Sequence, residues 1–138
     1  MLTVVHNKDQ MVVIKEQDVV PLRNRVKECA VKIGMGIVNQ TKLITATSEL
    51  VRNMLTYAKG GVILIEVVSK DRDKGVRLTF IDKGPGIVDI NLAMKDGYST
   101  TRSLGIGLPG AKRLVNEFEI LSHVGKGTTI TIIKWKNG

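Results

Sequence analysis

Apolar positions in this chain recur with a helical period in some stretches and as short β-prone runs in others, and the switches between the two divide it into elements. Gln10-Met11-Val12-Val13-Ile14-Lys15 is a short β-prone run, after which Asp18 is a candidate helix cap and Pro21 is tolerated in the first turn. Leu22, Val26, Cys29, Ala30 and Ile33 follow at helical spacing, and Gly34-Met35-Gly36 ends that helix. Asn39 or Thr41 is expected to cap a second helix, whose stripe is Leu43, Ile44, Thr47, Leu50, Val51, Met54 and Leu55 and whose stop is Lys59-Gly60-Gly61. Val62 to Val68 and Val76 to Ile81 read as two strands joined by Asp71-Arg72-Asp73-Lys74-Gly75, an antiparallel hairpin with Asp82 at the tip of its second arm. Val88 to Ser103 is irregular and polar apart from a short helix at Ile90 to Met94, and its length suits a mobile lid. A glycine-rich approach then leads into a helix over Gly105 to Glu117, and Phe118 to Val124 with Thr129 to Trp135 form a last hairpin around Gly125-Lys126-Gly127.

The order is strand, two helices, two strands, lid, helix, two strands. Hairpins dominate, so the fold class is α+β: a two-layer α/β sandwich with a mixed, mostly antiparallel sheet and its helices on one face. At 138 residues the chain reads as a single domain, 1–138, with no repeat or linker.

Composition narrows the function. The 21 Lys+Arg against 13 Asp+Glu leave a formal charge of +8, which favours an anionic partner. The basic residues run from Lys8 to Lys136 without a dense cluster, and one Trp, two Tyr and two Phe offer few stacking platforms, so no nucleic-acid partner is expected. No apolar run approaches the roughly 20 residues of a membrane span, and the first residues carry no secretory signal, so the expected location is cytoplasmic without a membrane partner. The lone Cys29 reads as a small buried side chain, and His6 and His123 have no neighbours at metal-ligand spacing.

The candidate chemistry begins at Asp82-Lys83-Gly84-Pro85-Gly86-Ile87. A strand that ends in a carboxylate and then drops its side chains makes a flat-floored cleft with one fixed acceptor, suited to a planar heterocycle with an exocyclic amine; the same residues also make a good turn. Glu49 and Asn53 lie four residues apart, about 40° around a helix axis, so one face presents both; a solvated polar face would use the same pair, although Leu50, Val51 and Met54 flank it. Gly105-Ile106-Gly107-Leu108-Pro109-Gly110 lacks the preceding hydrophobic strand of a dinucleotide fingerprint, yet its backbone N–H groups at a helix start favour phosphate oxygens. Gly125-Lys126-Gly127-Thr128 does not meet the P-loop spacing and by itself is a hairpin turn.

In order, Glu49-x-x-x-Asn53, Asp82-x-Gly84-x-Gly86, Gly105-x-Gly107-x-x-Gly110 and Gly127-Thr128 resemble the N, G1, G2 and G3 boxes of the GHKL ATPase/kinase superfamily, whose Bergerat-type sandwich has the same element order. Ser48 to Asn53, Asp96 to Thr100 and Gly107 to Leu114 look most like its bacterial anti-sigma serine/threonine kinase branch, in particular a stressosome switch kinase. The resemblance implies ATP and Mg²⁺ as cofactors, with Asp82 accepting from the adenine amino group, Thr128 assisting, Gly84 and Gly86 letting the base approach, and Asn53 as the metal ligand. Gly105, Gly107 and Gly110 would wrap the triphosphate; Ile87, Ser99, Thr100, Ile106 and Leu108 would complete the ATP site. Glu49 would be the catalytic base. The implied partners are a STAS-domain antagonist protein, phosphorylated on serine or threonine, and a phosphatase activated by binding. Arg23 and Arg25 on helix one are candidates for the partner surface. The rival is a nucleotide-controlled sequestering module with little kinase turnover, which would not need a base beside the metal ligand.

Overall fold

The computed structural model describes residues 3–95 and 107–138. Among them the elements run β1 (Val4–Val13), a 3-10 turn (Glu16–Asp18), α1 (Val19–Lys32), α2 (Ile37–Ala58), β2 (Gly61–Lys70), β3 (Asp73–Ile81), α3 (Ile90–Ala93), α4 (Gly107–Leu114), β4 (Glu117–His123) and β5 (Gly127–Trp135). The strands form a 5-stranded sheet in the order β1-β2-β3-β5-β4. Every pairing in it is antiparallel, so the expected parallel component is missing: β2–β3 and β4–β5 are hairpins, β1 pairs with β2 across the α1–α2 connection, and β5 returns against β3.

Strand alternation builds the core. Met11, Ile63, Phe80, Ile130 and Ile120 lie opposite one another in a row that crosses all five strands. A second row carries Ile65, Leu78, Ile132 and Phe118, and at the β1 edge it ends in Asp9. Above these rows sit the buried stripes of α1 (Leu22, Val26, Cys29, Ala30) and α2 (Leu43, Ala46, Leu50, Val51, Met54), the positions that helical spacing selects. Asp9 is charged yet tolerated because Arg25 Nε of α1 donates to it at 2.8 Å and joins helix to edge strand. On the opposite face the Arg77 guanidinium donates to both oxygens of the largely buried Glu66, at 2.9 and 3.1 Å.

Several boundaries differ from expectation. β1 begins at Val4 rather than Gln10: it is an edge strand exposed over most of its first half, with a register shift between Val5 and Asn7, so no clean alternation marks it. α2 starts at Ile37 with Gly36 as its cap, and neither Asn39 nor Thr41 caps it. Asn39 instead donates to the Lys136 and Gly138 carbonyls, and Thr41 donates back to Ile37 O. Asp18 is the N-cap residue of α1, as expected, but its carboxylate accepts from Ile14 N and Lys15 N in the preceding turn rather than from an N–H of the helix. Among the described residues no helix is long and apolar enough to cross a membrane.

Lys134 is the anomaly of the helix-facing rows, a lysine only 3% exposed. Its Nζ donates to Gly138 O at 3.4 Å; burial pushes the ammonium below its ordinary 10.5, and repulsion from Lys42 adds to this. A lysine with a folded pKa below its unfolded one penalises the fold in full while it is charged in both states, and the penalty fades as pH rises from the lowered folded pKa to 10.5. Lys134→Met is therefore expected to raise the thermal midpoint at pH 7, with a gain that shrinks as pH rises toward 10.5; melting curves at pH 7 and near 10.5 check it.

Candidate nucleotide-binding site

The site is assembled where β3 ends and β5 begins. Asp82 N donates to Thr128 O at 3.0 Å, extending the β3–β5 ladder one step past Ile81 and Thr129. The Asp82 carboxylate then turns back: Oδ1 accepts from Gly84 N at 2.9 Å and from Thr128 N at 3.2 Å. Both bonds fall on one oxygen, so Oδ2 keeps its acceptor capacity for a ligand amine. Asp82 is half-buried and Thr128 buried, which keeps this acceptor in a partly desolvated cleft.

Gly84 and Gly86 cannot be replaced by larger residues without movement. A Cβ on Gly84 would stand 2.6 Å from Ala58 Cβ at the end of α2. Gly86 has φ +79, and a Cβ there would press on the His123 carbonyl. The absent side chains let the loop backbone pack directly against Ala58 and the His123 carbonyl.

Ser122 is the residue that sequence reasoning missed. Its hydroxyl accepts from Ile87 N at 2.7 Å, lies 2.8 Å from Thr128 Oγ1 and reaches Gly127 O at 3.3 Å, so it ties the Gly84–Ile87 loop to β5. A signal was present: in Phe118, Ile120, Ser122 the third inward position of β4 is polar where an apolar residue is due.

α2 supplies the second wall. Glu49 is 5% exposed, Asn53 is half-buried one turn further on, and α4 packs against the same helix with Pro109, Gly110 and Ala111 buried. The expected shared face of Glu49 and Asn53 is thus an interior one. Gly107 begins α4 at φ +69, and Leu108 packs against the core. Ser99, Thr100, Gly105 and Ile106 lie outside the described residues. Among the described residues no group of three His, Cys, Asp or Glu is placed to hold a metal ion, so a cation here would rely on Asn53 and on phosphate oxygens. Arg23 is exposed, whereas Arg25 is engaged by Asp9 and by Glu28 at 3.1 Å.

Residues 38–137 match the family described as Histidine kinase-, DNA gyrase B-, and HSP90-like ATPase. The chain is 46% identical over 123 residues to Serine/threonine-protein kinase RsbT of Bacillus subtilis (strain 168), covering 89% of this chain and 92% of the relative. It is 29% identical over 119 residues to Anti-sigma F factor of Caldanaerobacter subterraneus subsp. tengcongensis, with 82% of each chain covered. The crystal structure of the RsbU and RsbW domains of Rv1364c from Mycobacterium tuberculosis shares the fold at a TM-score of 0.65 and 21% identity. That match covers 94% of this chain and 32% of the other, so the present chain spans about a third of that structure. The chain belongs to the histidine kinase-, DNA gyrase B- and HSP90-like ATPase family. Within the family it falls in the serine/threonine-protein kinase branch, an ATP-using enzyme whose similarity is to RsbT.

The residues fit the nucleotide: an Asp82 oxygen with spare acceptor capacity would meet an exocyclic amine, and the glycine loop beside it is seated against Ala58 with no side chain between. Gly84→Ala is expected to lower ATP affinity at least about tenfold by driving the loop off Ala58. Gly36→Ala, where a Cβ meets nothing within 4 Å, should leave it unchanged. Isothermal titration with ATP separates the two.

Proposed function

We propose that the chain, as one domain over residues 1–138, is an ATP- and Mg²⁺-dependent protein kinase of a bacterial partner-switching module in the cytoplasm. It phosphorylates a serine or threonine of a STAS-domain antagonist protein and, once released, activates a phosphatase by binding it. The observation that supports this reading best is Glu49: a carboxylate 5% exposed, one helical turn from Asn53, on a helix whose end is in contact range of the Asp82–Gly84 cleft. A helix that only held nucleotide would have no need for a base at that place.

The roles follow from the groups. ATP supplies the transferable phosphoryl group, and ADP leaves. Asp82 Oδ2 accepts from the adenine amine, and the Thr128 hydroxyl, backed by Ser122, gives a second polar contact at the same end. The Asn53 side-chain oxygen is the protein ligand for Mg²⁺, which takes its other ligands from phosphate and water. Glu49 orients the incoming hydroxyl and takes its proton as the new oxygen–phosphorus bond forms. Gly105, Gly107 and Gly110 offer backbone N–H groups to the phosphates, joined by Ser99 and Thr100.

The relatives named Anti-sigma F factor favour a second reading, in which nucleotide only sets a conformation that sequesters a partner. Glu49 separates the two. Glu49→Gln is expected to keep ATP binding and to lower phosphotransfer to a STAS-domain protein by about 10²-fold or more. Asp82→Asn should lose both. Its side-chain oxygen can still accept from Gly84 N and Thr128 N, but an NH₂ then opposes the adenine amine. Titration with ATP, followed by labelled-phosphate transfer, checks each. Equal transfer by wild type and Glu49→Gln would sink the kinase mechanism.

A further inference from the structure

β4 and β5 close the nucleotide end of the sheet, and Ser122 of β4 stands directly opposite Thr128 of β5 in their register. Their hydroxyl oxygens are 2.8 Å apart. Ser122 Oγ also accepts from Ile87 N at 2.7 Å, which ties to it the loop that follows Gly84 and Gly86, and it lies 3.3 Å from the Gly127 carbonyl oxygen. Thr128 is 7% exposed, and among the described residues its hydroxyl has one hydrogen-bond partner, Ser122.

The protons of this pair have one best arrangement. A serine hydroxyl has a single proton to give, and the Thr128 oxygen at 2.8 Å is a better acceptor position for it than the Gly127 carbonyl at 3.3 Å. With Ile87 N–H already donating to Ser122, the chain runs from Ile87 N–H to the Ser122 hydroxyl to the Thr128 hydroxyl, each bond polarising the next. Thr128 then keeps its own proton for a ligand. That proton is needed because the ionised Asp82 carboxylate, to which Thr128 N donates at 3.2 Å, can only accept. In adenine the exocyclic amine donates while the ring nitrogens beside it accept, so the base is matched by an acceptor and a donor side by side. Asp82 Oδ2 and Thr128 Oγ1 form such a pair only in this proton order. Were Thr128 to donate to Ser122 instead, two acceptors would face the base.

We propose that Ser122 is a positioning residue for base recognition: its hydroxyl orients the Thr128 hydroxyl as a donor to a ring nitrogen beside the amine, and through Ile87 N it holds the glycine loop to the same chain of hydrogen bonds. The proposal rests on the nucleotide-binding reading above and deepens it, since Ser122 acts through Thr128 and takes no part in phosphoryl transfer.

The test is isothermal titration of the full chain with ATP and with its 1-deaza and 7-deaza analogues, each of which replaces one ring nitrogen beside the amine by C–H. Wild type is expected to bind one of the analogues about tenfold more weakly than ATP, the effect of one lost hydrogen bond. Ser122→Ala should cut that ratio to about threefold or less, and Thr128→Val should abolish it. Ser122→Thr, which keeps the hydroxyl, should retain it. A serine that only tied Ile87 to β4 would, on removal, weaken ATP and both analogues by the same factor, so an unchanged ratio in Ser122→Ala overturns the proposal. Should Ser122→Ala lose nucleotide binding altogether, Ser122→Cys, whose thiol is a weak donor at the same place, is expected to show the same drop in the ratio, and a ratio equal to that of wild type overturns the proposal. Equal affinity of wild type for ATP and both analogues also overturns it and leaves the nucleotide site standing. Failure of wild type to bind ATP overturns the nucleotide reading and this proposal with it.

Discussion

The nucleotide end of the molecule depends on one carboxylate. Asp82 sits where a β-strand must stop, and its Oδ1 takes two backbone N–H groups, one from the loop that leaves the strand and one from a residue 46 positions away on β5. Hydrogen bonds to an ionised group contribute about 1.5–3 kcal/mol each, enough to hold an otherwise featureless loop against a strand edge. The loop then needs no apolar anchor, and its glycines can serve the ligand. Gly127 shows how close the fit is: its φ is +127, and a side chain there would strike the Asp82 carbonyl. The same arrangement saturates one oxygen and leaves the other available, so the geometry that closes the fold also prepares the site.

α2 carries the second constraint. At 22 residues it spans about 33 Å, with its buried stripe from Leu43 to Met54 fixed on the sheet. A rigid rod of this length lets one helix do separate things along its course. Its first turns form one wall of a cleft with α1, its middle buries Glu49, and its end touches Gly84 through Ala58. The helix stops cleanly because Lys59 takes a left-handed φ of 61 and the chain turns at once into β2. The α1–α2 cleft, Glu49 and the Gly84 loop are in this way referred to one stiff element, and displacement of any one of them relative to the others requires the helix to move on the core.

The α1 and α2 stripes, the β2–β3 hairpin and the element order were legible in the sequence because each buries one face against one layer, which imposes a clean period. What escaped was set by contacts that carry no period. β1 extends to Val4 because β2 offers partners up to Ser69, yet an edge strand with both faces wet shows no alternation. Gly36 caps α2 although Asn39 and Thr41 have the better cap chemistry; the Lys136 and Gly138 carbonyls draw the Asn39 amide away. At the site, Asp82 and its glycines were visible as a strand end followed by small residues. The bond from Asp82 to Thr128 and the bridging hydroxyl of Ser122 join positions far apart in the chain, and only the closed sheet brings them together.

The uncovered side of the sheet explains why one layer of helices is enough. Glu66 and Arg77 face each other across β2 and β3, and their paired hydrogen bonds satisfy a carboxylate that is itself largely buried. A salt bridge in this position contributes less to stability than a well-packed apolar pair, because desolvation offsets much of the attraction. Its value lies elsewhere. An apolar pair at the sheet centre would add exposed hydrophobic surface between Val12 and Leu121, which are exposed on the two edge strands, and would invite a second layer or a second sheet. With the centre of that face polar and satisfied, the helices remain on the side where the Asp82 cleft opens, and the nucleotide site and the α1–α2 cleft stay on one molecule's accessible surface.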